Sequence, residues 1–201
     1  MGYNRTRDGI AEEWGTIMAA QRENRRVQMT KRLLKDALLE LLEQRELVNI
    51  SVTAICEAAD VHRSTFYKYY NDPAELLRDL EKDYLDRIPT PSPDMNQWDE
   101  EELLTETTAF FDFVKQNERA FRVFFGDKAP SSFPARLIDL LCREYVGDKA
   151  DGDPTAYYTY LYIACGTAGM LREWVNAGFP VSSRAIAEMM YMLSLRVSQQ
   201  Q

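Results

Sequence analysis

Between Ser51 and Tyr70 two short helical patterns meet at a break, and this segment constrains the fold more than any other. Ser51 can cap the first pattern, its hydroxyl accepting from a free amide of the first turn. Val52, Ile55, Ala58 and Ala59 follow at helical spacing and make an apolar face, and the two alanines allow a second helix to come close. Asp60 stands where the chain must turn, and aspartate tolerates left-handed backbone better than most residues. Val61 is expected to plug the turn into the core. Beyond it, Arg63, Ser64, Thr65, Tyr67, Lys68 and Tyr69 are too polar for a buried helix, while Phe66 and Tyr70, four apart, can anchor its inner side. One supporting helix and one that presents hydroxyl, aromatic and basic groups outward make a helix-turn-helix, the layout that places its second helix in a DNA groove.

The run Ala59-Asp60-Val61-His62-Arg63-Ser64-Thr65-Phe66-Tyr67-Lys68-Tyr69-Tyr70 resembles the DNA-binding domain of the tetracycline-repressor (TetR) family of transcriptional regulators, with Thr65-Phe66-Tyr67 as its specific core. The likeness covers residues 29–88, from a first helix at Thr30–Gln44 to a fourth at Asp72–Ile88. It implies an all-α fold: an N-terminal three-helix DNA-binding domain, then a C-terminal helical bundle for dimerisation and effector sensing. It also implies the partners: double-stranded DNA carrying a palindromic operator, a second copy bound through the last two helices, and a small-molecule or protein effector. Three positions depart from the family pattern. Asp60 replaces the turn glycine and brings an acid towards the DNA. Pro73 stands where a phosphate-reaching lysine is common. His62 replaces a serine or threonine at the start of the recognition helix.

Roles follow from groove geometry. Arg63 and Ser64, at the helix start, lie nearest base edges, where an arginine pairs well with guanine. Tyr69 is expected to read a thymine methyl or a base edge. His62, Thr65, Tyr67 and Lys68 are expected on phosphates. The resemblance adds Thr30 and Lys31 as phosphate contacts at the start of the first helix, and Ser51 and Thr53 complete the DNA-facing set.

The net charge of −8 looks wrong for such a protein until it is divided along the chain. Residues 1–88 carry −2 and residues 89–201 carry −6, whereas the window 22–68 carries +2. Screening over a Debye length of about 10 Å makes the local balance the relevant one. The overall acidity excludes a nonspecific nucleic-acid coat. Cys56, Cys142 and Cys165 are scattered, in no metal-like spacing, and read as reduced, small core residues. The chain has no apolar run of membrane-spanning length and no signal-like start, so a cytoplasmic location is the expectation.

Residues 1–28 read as an N-terminal extension. Ile10, Trp14, Ile17 and Met18 share a helical stripe and Arg22, Arg25 and Arg26 follow, so the segment is either a solvated helix or an arm reaching DNA. Pro89, Pro91 and Pro93 mark a linker, and the C-terminal regulatory and dimerisation domain spans 96–201. Helices are expected over Leu103–Val114, with the acidic run Asp99–Glu102 at the start; after Asn117, holding Phe121, Phe124 and Phe125; over Pro134–Tyr145; over Thr155–Ala177; and after Ser182. The helix Thr155–Ala177 is apolar nearly all round and should be buried on more than one side, with the last helix as its partner. Its segment Gly166–Val175 resembles a TetR-like subgroup in which some members answer to a protein co-regulator. Phe111, Tyr157 and Tyr160 are candidates for lining an effector cavity in this bundle.

An enzyme finds little support. There is one histidine, used in the turn, and neither a phosphate loop nor a nucleophile elbow nor a metal cluster, so no cofactor is expected. The competing reading is a TetR-like helical adaptor that acts through protein partners.

Overall fold

The computed structural model describes residues 5–89, 99–126, 131–146 and 154–198, with most side chains from Glu23 onward. These residues form helices α1 (Arg5–Gln44), α2 (Val52–Ala59), α3 (Arg63–Tyr67), α4 (Pro73–Leu85), α5 (Glu100–Gln116), α6 (Glu118–Phe125), α7 (Phe133–Val146), α8 (Pro154–Asn176) and α9 (Ser183–Ser198), with a short 3-10 turn at Leu47–Asn49. No strand occurs among the described residues.

The first helix corrects the expected start at Thr30. α1 runs unbroken for 40 residues, roughly 60 Å. Gly9 and Gly15 are its weakest points and no proline interrupts it, so nothing stops the helix upstream of Thr30. Thr30 therefore lies mid-helix, its hydroxyl donating back to the Arg26 carbonyl at 3.0 Å. The stripe Ile10, Trp14, Ile17 and Met18, with Arg22, falls outside the described side chains, as Pro91, Pro93 and Asp153 fall outside the described residues.

Leu34, Leu38 and Leu42 are fully buried and carry α1 against Ile55 of α2, Phe66 of α3 and Leu76 of α4. On α2 the inner positions are Ile55, Cys56 and Ala59, whereas Ala58 is exposed and Cys56 fills the place expected of it. α4 begins as expected: Asp72 accepts from the Glu75 amide at 2.7 Å, with Pro73 in the first turn.

α4 then leaves the N-terminal helices and enters the bundle. Its Tyr84 ring meets Phe113, Phe121 and Phe124 edge-on, and α1 also packs on α6. Phe124 stacks on Phe133 and Phe121 meets both edge-on, making an aromatic cluster at the centre. The acidic run does start α5, where Asp99 and Glu102 form a reciprocal capping box. Asn117 precedes α6 without capping it, because its side-chain amide donates back to the Phe113 carbonyl.

The pairing of the last helices differs from expectation. α8 packs chiefly on α7, and α9 chiefly on α5. α8 and α9 touch at fewer points, among them Thr167 against Met190, and the Trp174 indole donates to the Val181 carbonyl in the connection before α9 at 3.1 Å. α8 is buried on one side only. Ala164, Thr167, Ala168, Leu171, Trp174 and Val175 face inward, while Tyr158, Tyr162 and Cys165 lie outside. Cys165 is thus no core residue, Cys142 is half-buried and only Cys56 is fully buried. No helix among the described residues is long and apolar enough to cross a membrane.

Candidate nucleic-acid interface

The turn between α2 and α3 is made by the residue that departs from the family pattern. Asp60 adopts φ 51° and ψ 45°, and the following Val61 amide closes onto the Cys56 carbonyl at 3.0 Å. Ser51 caps α2 by accepting from the Ala54 amide at 3.1 Å. His62 caps α3: its Nδ1 accepts from the Ser64 amide at 3.3 Å and lies 2.8 Å from the Ser64 hydroxyl. With Nδ1 occupied, Nε2 is the ring atom left to meet a phosphate.

α3 has one anchored side and one presented side. Phe66 is fully buried and meets Tyr67 and Tyr70 at ring distances of 5.6 and 5.8 Å. His62, Arg63, Ser64, Tyr67 and Lys68 are exposed, as are Ser51 and Thr53 on α2. Tyr67 is 52% exposed, a large value for an aromatic on a packed helix, and it fits a side chain held out for a partner. Thr65 and Tyr69 are half-buried at the edge of this face.

Beneath it lies a polar base that stiffens α3. The Tyr70 hydroxyl donates to Asp79 at 2.6 Å, and Lys35, only 7% exposed, bridges Asp79 at 2.9 Å and Asp83 at 2.6 Å. Burial, with the Asp79 carboxylate next to it, pushes the Tyr70 hydroxyl far above its usual range. Burial pushes Asp79 up, but bonds from Tyr70 and Lys35 and the charge of Lys31 outweigh that and hold it below the usual aspartate range.

Two candidate cations are partly engaged. Lys31 sits 5.9 and 5.2 Å from the Tyr69 and Tyr70 rings and 3.7 Å from Asp79. Lys68 lies 5.6 Å from the Tyr69 ring and 4.0 Å from Glu23 on the upstream part of α1. An exposed pair of this kind holds weakly and can yield to a phosphate. Thr30 contributes little here, since its hydroxyl is spent on Arg26 within α1.

The three effector candidates are not brought together. Phe111 is fully buried against Trp174 at 5.4 Å. Tyr157 is 45% exposed and pairs with Tyr158. Along α8, Tyr157 and Trp174 are separated by roughly 25 Å, so Phe111 and Tyr157 cannot line one small cavity. Tyr160 is half-buried near the Tyr157 end. Among the described residues no group of three potential ligands could hold a metal ion.

Sequence reasoning missed a buried carboxylate on α4. Glu81 is 1% exposed and accepts from the Ser131 hydroxyl at 2.8 Å, the Ser132 amide at 3.0 Å, the Ser132 hydroxyl at 2.6 Å and Arg136 at 3.2 Å. It fastens α4 to the mouth of α7, where the helix dipole also favours an anion. One signal existed: Glu81 follows Leu77 by four residues on the inner stripe of α4.

The described residues thus make a helix-turn-helix joined by its fourth helix to a helical bundle with an exposed C-terminal face. Residues 101–195 match the family model described as the TetR-type transcriptional regulator C-terminal region. No curated protein matches the chain. Among solved structures, the TetR transcriptional regulator from Streptococcus agalactiae is 17% identical, covers 87% of this chain and 98% of its own, and has a TM-score of 0.65. The dihydroxyacetone kinase operon activator DhaS is 20% identical over 83% of this chain and 94% of its own, with a TM-score of 0.59. NalD, the secondary repressor of the MexAB-OprM multidrug efflux pump in Pseudomonas aeruginosa, is 15% identical over 85% and 97%, with a TM-score of 0.56. The C-terminal region therefore belongs to the TetR-type transcriptional regulators, and the fold of the whole chain is theirs.

Proposed function

We propose that the protein is a sequence-specific, homodimeric DNA-binding repressor whose operator affinity is set by an effector acting on the C-terminal bundle. The observation that carries this reading is the outward set His62, Arg63, Ser64, Tyr67 and Lys68, on a helix fixed from behind by buried Phe66 and the Tyr70–Asp79–Lys35 network. Arg63 and Ser64 are assigned to base edges, and His62, Tyr67 and Lys68 to the sugar-phosphate backbone.

A second copy supplies the other half of the reading head. Tyr158 and Tyr162 of α8 are 66% and 65% exposed, and Met189, Met192 and Leu193 of α9 are exposed as well. A Cβ built at Gly166 or Gly169 meets nothing within 4 Å, so α8 has room for a close helix neighbour. Apolar exposure on this scale marks an interaction surface. A two-fold dimer through it would present two α3 helices to half-sites about one DNA turn apart. α4 is the assigned path between bundle and DNA, because it packs on α1 at one end and reaches Phe121, Phe124 and α7 at the other.

Two of the three similar structures differ in output, since DhaS is an operon activator and NalD a repressor. Repression is assigned here and is read directly with a promoter–reporter pair. The test of DNA recognition is selection of duplexes from a random pool by the purified chain. Enrichment of an inverted repeat supports the reading; recovery of unenriched DNA after repeated rounds would favour a protein-binding adaptor.

A further inference from the structure

A groove of about 430 Å3 opens where α1, the end of α3, α4 and the mouth of α7 meet. Cations reach it from three helices: Lys31 from α1, Arg78 and Lys82 from α4, and Arg136 from α7, with Tyr69 and Ser132 beside them. The two carboxylates in its wall have other partners. Glu75 accepts from the backbone amide and side chain of Asn71 at 2.8 Å each, and Asp79 accepts from Tyr70 and Lys35 and also lies 3.7 Å from Lys31 of the groove.

Arg136 is the built element. Its Nη1 donates to the Arg78 carbonyl at 3.1 Å and to Glu81 at 3.2 Å, and Glu81 is itself buried and held by Ser131 and Ser132. A guanidinium tethered at one nitrogen keeps its other N–H groups in a fixed plane, which suits a tetrahedral oxyanion. Arg78 makes no side-chain ion pair among the described residues, and Lys82 is held only by the surface carboxylate of Asp86. The wall carries four cations and two acids; Lys31, Lys82 and Arg136 are paired with Asp79, Asp86 and Glu81, and Arg78 is the cation left without an ion pair among the described residues, a balance that favours an anion. Its volume suits a small metabolite.

We propose that this groove binds a small phosphate-bearing ligand between the DNA-binding helices and α7. The phosphate is held by Arg78, Lys82 and Arg136, and the rest of the ligand lies against Tyr69. The site shares Lys31 and Tyr69 with the DNA-facing set and straddles α4 and α7, so its occupancy is coupled to operator affinity. The coupling rests on the DNA-binding reading; the binding itself does not.

The test is calorimetric titration of the full chain with inorganic phosphate and with phenyl phosphate, ionic strength being held constant with chloride. Wild type, Arg78→Ala/Lys82→Ala and Arg63→Ala are compared, with folding checked by circular dichroism. The expected result is saturable binding at one site per chain, about tenfold weaker in Arg78→Ala/Lys82→Ala and unchanged in Arg63→Ala. Unsaturable heats, or equal affinity in wild type and Arg78→Ala/Lys82→Ala, would overturn the site. So would a groove variant that loses duplex DNA as strongly as Arg63→Ala while phosphate binding is unmoved, since that would make the groove a DNA backbone contact. If Arg63→Ala keeps DNA affinity but the groove still binds phosphate, the DNA reading fails and the phosphate site stands.

Discussion

Glu81 and Ser132 are joined twice: the Ser132 amide donates to one oxygen of the buried carboxylate at 3.0 Å, and its hydroxyl donates to the other at 2.6 Å. A carboxylate in this position loses its hydration and is repaid only by complete hydrogen bonding. Replacing Glu81 by alanine strands the Ser132 amide and the Arg136 guanidinium near the interior. Unfolding in urea should show a loss of about 3 kcal/mol for Glu81→Ala. A loss near zero would mean that the α4–α7 junction does not depend on this clasp.

Asp60 gives a prediction of opposite sign. It holds φ 51° without being glycine. Asp60→Gly removes the steric cost of left-handed backbone and should stabilise the chain by about 0.5–1 kcal/mol despite glycine's greater unfolded freedom. The same change removes a negative charge next to α3, so duplex DNA should bind more tightly, with the gain fading as salt is raised. Thermal unfolding and a salt series on both proteins check the two parts.

Asp79 sets an acid limb of stability. Its folded pKa lies below the ordinary 3.8, so its contribution is fully present above that value and is lost as pH falls through the lower folded value. Wild type should therefore lose stability on acidification below about pH 4, and Asp79→Asn should flatten that slope while lowering stability at neutral pH. Urea midpoints taken from about pH 6 to about pH 2 give the comparison, and identical slopes would count against the network of Tyr70, Lys35 and Asp79.

Gly166 and Gly169 separate chain folding from dimerisation. Neither glycine has a neighbour that an added Cβ would meet, so Gly169→Ala should leave the monomer intact and raise helix stability by roughly 0.5–1 kcal/mol. Gly169→Leu should keep the helical spectrum but weaken self-association if α8 meets its copy here. Sedimentation velocity at several concentrations reads the difference; a dimer indifferent to Gly169→Leu would place the interface elsewhere.

Much of this was legible from the residues because the decisive signals were local. Asp60 at the break, Ser51 and Asp72 as caps, and the acidic run Asp99–Glu102 at a helix start each need only a few neighbouring residues, and each stands as expected. What failed was non-local or needed a missing stop signal. Nothing upstream of Thr30 ends a helix, so α1 continues to Arg5. The apolar girth of α8 points to burial on more than one side with the last helix as partner, but within the chain α8 packs chiefly on α7 and the tyrosine stripe stays outside. Lys35 and Glu81 look like ordinary charged helix positions until partners 44 to 55 residues away in sequence, Asp79 and Asp83 for one and Ser132 and Arg136 for the other, close around them. The outward face of α3 was readable for the local reason again: Thr65-Phe66-Tyr67 alternates a buried anchor with presented side chains over a single turn.

The central claim is that the exposed face of α3 reads DNA, and fluorescence anisotropy with a selected or upstream duplex tests it most directly, at two salt concentrations, for wild type, Arg63→Ala and Tyr67→Ala. The account predicts tight wild-type binding that weakens with salt, a roughly ten- to hundredfold loss with relaxed sequence preference for Arg63→Ala, and a more uniform loss across sequences for Tyr67→Ala. Wild-type affinity retained by both variants would contradict it.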